Sequence, residues 1–145
     1  MQIPVRRLDP ELPLPAAQHE GDAGVDLVAR EGATLAPGGG RAAVPTGIAV
    51  AIPEGYAGFV QPRSGLARKH GITCLNTPGL IDAGYRDEIS VLLVNTDPAE
   101  PFEIKRGDRI AQLVIQRVER VEWREVEMLD ASERGLGGWG STGAR

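Results

Sequence analysis

Glycine and proline recur so often along this chain that no regular element can grow long. The sequence has 145 residues, of which 19 are Gly and 11 are Pro, and these separate short stretches rich in Val, Ile, Leu and Ala. Glycine tolerates positive φ and proline fixes φ, so both favour turns. Short apolar stretches that alternate with turns, with almost no helical pattern, predict an all-β fold: a sandwich, a barrel or a jelly roll.

Most of the apolar stretches have the length and composition of β-strands. Residues 110–118 are nearly apolar on both faces of a strand, which predicts a central strand. Residues 121–129 are ambiguous, because their apolar spacing also fits a helix, but the Val-Glu-Trp-Arg alternation favours a strand. The only predicted helix occupies the second half of 62–71 and ends at Gly71 as a C-cap. The predicted strands are 3–8, 22–29, 42–52 (interrupted at Pro45 and Gly47), 57–61, 89–94, 102–104, 110–118 and 121–129.

The overall composition argues against several functional classes. A net charge of −4 is unlike that of a nucleic-acid-binding domain, which usually needs a basic face. The single cysteine, Cys74, cannot form an intrachain disulfide, and we expect a small core residue. Because only 4% of the residues are aromatic, the core should be aliphatic. No stretch resembles a secretion signal or a membrane span, which predicts a soluble, cytoplasmic protein without a membrane partner.

The stretch 76–90 carries the strongest chemical signal. A Pro-Gly turn precedes a carboxylate, a glycine and an aromatic residue, which are Asp82, Gly84 and Tyr85. A β-hairpin with Asp and Tyr on its rim places a general base beside a flat stacking surface. This arrangement suits a planar heterocycle held next to a water that is deprotonated. The alternative is a hairpin with a solvated rim.

Two further stretches could hold phosphate groups. A strand end leads through Arg63, Ser64 and Gly65 into the short helix, where free backbone N–H groups hold anions. The alternative there is an N-cap serine with a surface arginine. The tail 134–143 combines a guanidinium group, an aromatic ring that can stack and two hydroxyl groups. This combination suits an arm that closes over a nucleotide. The alternative is a disordered tail. Its glycines resemble two nucleotide-binding patterns, but each pattern requires a following helix and the chain ends too soon.

Several acidic residues suggest a metal cluster. No His or Cys stands at ligand spacing, which argues against zinc. A magnesium ion carried in by a polyphosphate, with one protein carboxylate reaching it through water, fits better. No Ser-His-Asp arrangement can be assigned. The acidic residues are Asp22, Asp26, Asp82, Asp87 and Glu88.

Five stretches, in order, resemble the five motifs of the trimeric deoxyuridine triphosphatase (dUTPase) family, and together they span nearly the whole chain. The resemblance implies an all-β, distorted jelly-roll fold of the β-clip type with one short helix. It also implies a homotrimer with active sites between subunits and exchanged C-terminal arms. Residues 1–131 would form the catalytic domain and 132–145 the Gly-rich arm. The matching stretches are 23–27, 62–67, 79–88 with the following strand, 106–112 and 134–143.

The same resemblance implies an enzyme that hydrolyses its substrate dUTP to dUMP and pyrophosphate, which keeps uracil out of DNA and supplies dUMP for dTMP synthesis. Asp82 would bind the 3′-hydroxyl and activate the water that attacks the α-phosphorus. Tyr85 would lie under the deoxyribose and exclude a 2′-hydroxyl. Asp26 would reach the cofactor Mg²⁺ through water. The implied substrate-binding residues are Asn76, Leu80 and Ile81 at uracil, Arg63, Ser64, Gly65 and Gln112 at the phosphates, and Arg134, Trp139, Gly140 and Ser141 in the arm.

This sequence departs from the family pattern at three positions. Trp139 stands where Phe or His is usual, Asp87 where a small residue is common, and Ser90 where some relatives carry Lys. Two other interpretations remain open. A dCTP deaminase shares the fold but needs a catalytic glutamate and a Ser-rich phosphate motif that this chain lacks. A catalytically silent binding module would fit a chain that had lost its catalytic residues, and here they are present.

Overall fold

The computed structural model describes residues 1–132 and 135, and within them the chain forms eleven strands and one helix. The prediction of an all-β fold with one short helix is confirmed. Among the described residues, no helix is long and apolar enough to cross a membrane. The elements are β1 (Val5–Arg7), β2 (Val25–Val28), β3 (Ala33–Leu35), β4 (Arg41–Pro45), β5 (Ile48–Val50), β6 (Tyr56–Pro62), α1 (Ser64–His70), β7 (Ile72–Cys74), β8 (Gly79–Ile81), β9 (Ser90–Asn95), β10 (Phe102–Ile104) and β11 (Arg109–Arg117).

The strands form two larger antiparallel sheets and two short ribbons. One sheet has the order β2-β11-β6-β8 and the other β4-β9-β7, while β1 pairs with β5 and β10 with β3. Leu27 and Val60 of the first sheet belong to the same hydrophobic cluster as Ile72 and Val91 of the second. Two sheets that share one core in this way give the layered architecture of a jelly roll.

The core is aliphatic, as the composition predicts. The largest fully buried hydrophobic side chains in the described part of the chain are Leu, Ile and Val, among them Leu27, Ile72 and Leu93. Burying one such side chain contributes about 1.5–3 kcal/mol. Cys74 is 2% exposed, and burial raises the pKa of its thiol to about 11. The cysteine is therefore a core residue, as expected.

The nine-residue β11 is the central strand that the sequence predicts, since β2 and β6 flank it. Its register sets Gln112 opposite Asp26 on one side and opposite Gln61 on the other. Ala111 lies opposite Pro62, the last residue of β6 before the chain turns into α1. Strand register therefore brings Gln112, Asp26 and the start of the helix to the same end of this sheet.

Helix α1 ends where the sequence predicts. Gly71 has φ 64° and ψ 22°, and backbone N–H groups of the cap donate to the carbonyls of Ala67 and Leu66. Glycine adopts this left-handed conformation without a steric penalty. A Cβ on Gly71 would also lie 2.9 Å from the hydroxyl oxygen of Thr96. Both conformation and space therefore require glycine here.

The stretch 76–90 lies at the end of the predicted hairpin, which spans residues 72–95 and has one addition. Its arms β7 and β9 pair side by side, with Cys74 opposite Leu93. Between them, β8 leaves that sheet and pairs with β6 of the other sheet, with Leu80 opposite Phe59. The hairpin is thus attached to both sheets, which restricts how its tip can move.

The strand predicted at 121–129 is wrong. The segment has no regular structure, and Val121, Trp123 and Leu129 are 62%, 93% and 89% exposed. A strand needs a neighbour for its backbone hydrogen bonds, and the described part of the chain provides none here. The short strands β3 and β8 are absent from the sequence-based prediction, because each is defined by pairing with a strand distant in sequence, β10 and β6 respectively.

A charged network ties the N-terminal segment to the turn before β11. Arg106 donates to both carboxylate oxygens of Asp9 and reaches Glu11 at 2.9 Å. Arg30 lies 3.7 Å from Asp9 and 3.2 Å from Glu88. The hydrogen bond from the Arg106 guanidinium holds the pKa of Asp9 below its usual range. Asp9 therefore keeps its charge to a lower pH than an isolated carboxylate.

Replacing Asp9 with Asn should make the folded state less sensitive to acid. Because the pKa of Asp9 is lowered in the folded state, its contribution to stability is present above the unfolded pKa and is lost as pH falls through the folded value. Thermal unfolding of the wild type and Asp9→Asn from about pH 7 to about pH 3 should show a Tm gap that narrows with acid. The exposed control Glu54→Gln should show no such gap. A gap that is independent of pH would contradict this assignment.

Candidate active site

The first pocket lies between the start of α1 and β11 and has a volume of about 290 Å³. Four of its lining residues, Arg63, Ser64, Gly65 and Gln112, are those that the sequence assigns to phosphate binding. Lys69 also lines it. Two cationic side chains beside hydrogen-bonding groups make this a site suited to an anion.

The start of α1 offers backbone donors to this pocket. Arg63 is the N-cap residue, and within the described chain no side chain caps the helix there. The first N–H groups of a helix have no partner inside it, and a Cβ added at Gly65 would meet no atom within 4 Å. The free backbone N–H groups at the start of α1 therefore lie beside a space that no other atom of the described chain fills. Ser64 is the first helical residue, so the alternative interpretation of Ser64 as an N-cap serine is wrong.

Asp26 lies on β2 beside this pocket, 7% exposed, between two arginines. Arg63 Nε is 3.2 Å from Asp26 Oδ1, and Arg109 Nη1 is 3.4 Å from Oδ2. The Arg63 contact is an ion pair without hydrogen-bond alignment. Oδ1 is therefore a buried oxygen that accepts no hydrogen bond from the described residues. Such an atom is costly unless water or a ligand donates to it.

The Asp26 oxygen that accepts no hydrogen bond, Oδ1, fits a water-mediated contact to Mg²⁺. Magnesium keeps several of its waters and typically takes one or two carboxylates together with substrate phosphates. A water in the shell of the ion would supply the donor that Oδ1 lacks. Within residues 1–132 and 135, no three His, Cys, Asp or Glu side chains gather as a metal cage. The structure therefore fits one carboxylate near a metal–phosphate complex.

The second pocket has a volume of about 250 Å³ and lies between the hairpin and β6. It is lined by Asn76, Leu80, Ile81 and Tyr85, which the sequence assigns to the nucleoside. Leu80 is 57% exposed and Tyr85 38%, so apolar surface is available for a flat ring. This combination of apolar walls and a few polar groups is typical of small-molecule sites.

Gly79 lets Asn76 and Val60 pack closely against the backbone of the second pocket. A Cβ added there would lie 3.3 Å from the Asn76 amide nitrogen and 3.3 Å from the Val60 Cβ. Those separations are tighter than ordinary contacts, so a side chain would displace the amide. Glycine at this position therefore holds Asn76 close to the backbone edge of β8.

Asp82 and Tyr85 close a tight turn at the tip of the hairpin. The Tyr85 N–H donates to the Asp82 carbonyl at 3.0 Å, and the Tyr85 phenol donates to the Glu88 carbonyl at 2.8 Å. Arg86 folds back onto the Tyr85 carbonyl at 2.7 Å. The Asp82 side chain is exposed, and its carboxylate can accept a proton from a water bound beside the turn.

The predicted site residues form two separate pockets on one chain. The first pocket and the second pocket share no lining residue, and Asp82 lines neither of them. The remaining predicted residues, Arg134, Trp139, Gly140 and Ser141, lie outside the described residues.

Sequence reasoning missed several residues at these pockets. Lys69 and His70 line the first pocket. Lys69 follows Gly65 by one helical turn, and this spacing was the available signal. The His70 ring packs 5.0 Å from the Phe102 ring, a contact between distant segments that no local pattern reveals. Ser90 lines the second pocket.

Comparison with known sequences gives a match over almost the whole chain. A sequence model of the dUTPase family matches residues 10–143. The deoxyuridine 5′-triphosphate nucleotidohydrolase of Thermobifida fusca is 62% identical over 143 residues, which cover 99% of this chain and 79% of the relative. The protein of the same name from Nocardia farcinica is 60% identical over 141 residues, covering 97% and 85%.

Solved structures give the same result. The dUTPase of Staphylococcus bacteriophage 80alpha with dUPNHPP has a TM-score of 0.90, 31% identity and 98% coverage of both chains. The D95N mutant of the dUTPase from phage phi11 of S. aureus, a structure concerned with a structural Mg(II) ion, has a TM-score of 0.81 and 29% identity, covering 88% of this chain and 98% of its own. The chain belongs to the dUTPase family.

Proposed function

We propose that this chain hydrolyses dUTP to dUMP and pyrophosphate, using Asp82 as the general base. The observation that carries the proposal is the hairpin tip, where an exposed carboxylate lies in the same turn as Tyr85, which lines the second pocket. The family match and the relatives named for this activity support the reaction class.

The reaction is an attack by water on the α-phosphorus. Asp82 orients the water, takes its proton, and binds the 3′-hydroxyl of the sugar. A carboxylate is a weak base, so much of the rate acceleration comes from positioning the water in line with the departing pyrophosphate. The O–P bond to the leaving group breaks as the water oxygen bonds to phosphorus.

The second pocket selects the nucleoside. The backbone edge at Leu80 and Ile81 and the Asn76 amide read the uracil edge, and the closed end of the pocket leaves no room for a 5-methyl group. Tyr85 lies under the deoxyribose, where a 2′-hydroxyl would collide with its ring. The pocket therefore excludes thymine and ribonucleotides.

The first pocket holds the triphosphate. Arg63 and Gln112 supply side-chain donors, and Ser64 and Gly65 supply donors at the start of α1; Lys69 adds a second positive charge. Mg²⁺ bound by the phosphates would neutralise charge on the leaving pyrophosphate. Asp26 would hold a water of its shell through the oxygen that lacks a donor.

The complete site forms between copies of the chain in a homotrimer. Support comes from the two pockets of one chain, which share no lining residue. A nucleoside in one pocket and a triphosphate in the other can belong to one substrate if the two pockets come from different copies. The arm 132–145 of one copy closes the site built by others, with Arg134 on the γ-phosphate and Trp139 on uracil. Gly140 and Ser141 contact the substrate from the same arm. Closing the site excludes bulk water and strengthens its polar contacts.

A pyrophosphate-release assay across dUTP, UTP, dTTP and dCTP tests the proposed function. The wild type should release pyrophosphate rapidly from dUTP only. Ammonia release from dCTP would instead indicate a deaminase. Nucleotide binding by calorimetry without turnover would indicate a binding protein, and either result would overturn the proposal.

Asp82→Asn should lower kcat for dUTP by at least about 10²-fold, the size expected for losing a general base. Binding of a non-hydrolysable dUTP analogue, measured by calorimetry, should remain within a few-fold of wild type. The matched control is Asp87→Asn on the same hairpin, which should keep most of the activity. An unchanged kcat in Asp82→Asn would remove Asp82 from the base role.

Asp26→Asn should weaken the response to magnesium. The Mg²⁺ concentration that gives half-maximal rate should rise about tenfold or more, as found when an outer-shell contact is lost. Calorimetry of Mg²⁺ binding to the complex with the analogue should show the same shift. The exposed control Glu54→Gln should leave the response unchanged. Identical magnesium titrations for Asp26→Asn and the wild type would count against this role.

Removing residues 134–145 should reduce kcat/KM for dUTP by about 10²-fold, because the closing arm and its phosphate contact are lost. The oligomeric state, measured by light scattering, should not change. Removing only Ala144 and Arg145, beyond the motif, is the control and should have little effect. Full activity in the longer truncation would contradict the proposed arm.

A further inference from the structure

We propose that Glu88 is a positioning residue that fixes the Tyr85 ring and thereby sets the discrimination between deoxyribonucleotide and ribonucleotide. The inference rests on the proposed function, in which the Tyr85 ring lies under the sugar. Glu88 lines neither pocket and acts only through its neighbours.

The Glu88 carboxylate is fixed by two partners from other parts of the chain. Gly47 N–H donates to Oε1 at 2.7 Å. Arg30 Nη1 lies 3.2 Å from Oε2 and 3.4 Å from Oε1. The side chain is 20% exposed, so these contacts are partly shielded from solvent and are stronger than surface contacts.

Gly47 itself has little freedom. It is buried, has φ +74°, and a Cβ there would lie 3.1 Å from the Asp9 Cβ. Its carbonyl accepts from Leu8 N–H at 2.7 Å. Without Glu88, its N–H would lose the acceptor that the structure gives it, and a buried donor without an acceptor is costly. The carboxylate therefore holds the start of β9 against the segment between β4 and β5.

The backbone around Glu88 is held at the same place. The N–H of the next residue, Ile89, donates to Ile48 at 2.9 Å, and the Ile89 carbonyl accepts from the Thr46 N–H at 3.1 Å and from the Thr46 hydroxyl at 2.7 Å. The Glu88 carbonyl, which accepts the Tyr85 phenol at 2.8 Å, is therefore a fixed acceptor. The ring is fixed at its outer end by this bond and at its inner end by the Asp82–Tyr85 turn.

A fixed ring is what steric exclusion of a 2′-hydroxyl needs. A tyrosine ring that can tilt would make room for the extra oxygen, whereas a deoxyribose needs no such space. Loosening the ring should therefore let UTP react faster while it changes the rate with dUTP less. The ratio of kcat/KM for dUTP to kcat/KM for UTP should fall. A loss of general stability would instead affect both nucleotides alike.

The test compares kcat/KM for dUTP and UTP in Glu88→Ala, Glu88→Gln and Tyr85→Phe. Glu88→Ala and Tyr85→Phe should each reduce the dUTP/UTP ratio about tenfold, the size expected for losing one hydrogen bond that positions the ring. Glu88→Gln keeps an acceptor for Gly47 N–H and should keep most of the ratio. The double variant Glu88→Ala/Tyr85→Phe should lose no more than either single variant, because both changes break the same chain of contacts.

The control is Glu103→Ala on the exposed edge of β10, which should leave the ratio unchanged. Thermal unfolding reports whether each variant is folded. If Glu88→Ala does not fold, Arg30→Ala takes its place and should also reduce the ratio, because it removes one of the two partners that fix the Glu88 carboxylate. A ratio retained in folded Glu88→Ala or in Tyr85→Phe, or additive losses in the double variant, would overturn the proposal. A wild type that does not prefer dUTP would overturn the proposed function instead.

Discussion

The pairing of β8 with β6 is the constraint on which the second pocket depends. β7 and β9 pair within one sheet, and the segment between them crosses to the other sheet and pairs there. A hairpin attached to a single sheet could bend at its base, whereas one attached to both sheets holds its tip in a fixed position. The turn from Asp82 to Tyr85 is part of this tip and is therefore fixed with it. A fixed turn matters because a weak base such as a carboxylate is effective only when the water beside it is held in place.

The arginines that pair with carboxylates in the described chain fall into two groups, those beside the first pocket and those away from it that join distant segments. Two arginines, Arg63 and Arg109, flank the single carboxylate of Asp26. This cluster therefore keeps a net positive charge beside the first pocket, although the chain as a whole carries a net charge of −4. Arg30 and Arg106 are both engaged with Asp9, and Arg30 also contacts Glu88. These side chains join segments distant in sequence and leave Arg63 and Lys69 as the cations that line the pocket.

The sequence predicts those features that depend on residues close together in the chain. Gly71 ends the helix as predicted, 102–104 is the predicted strand, and the Asp-x-Gly-Tyr tip lies on a hairpin. What depends on a distant partner was not readable. Residues 121–129 alternate like a strand but meet no neighbour in the described chain. Glu88 was one of five acidic residues that could be interpreted as a metal cluster, because its partners, Gly47 and Arg30, are far away in sequence.

We propose that one active site combines the second pocket of one copy with the first pocket of another. Mixing Asp82→Asn with Arg63→Ala after unfolding and refolding them together tests it directly. Random assembly should restore about a quarter of the wild-type sites, because half of the copies supply an intact Asp82 and, independently, half supply an intact Arg63. If both residues of a site came from the same copy, no site would be intact, and the mixture would remain as inactive as either variant alone.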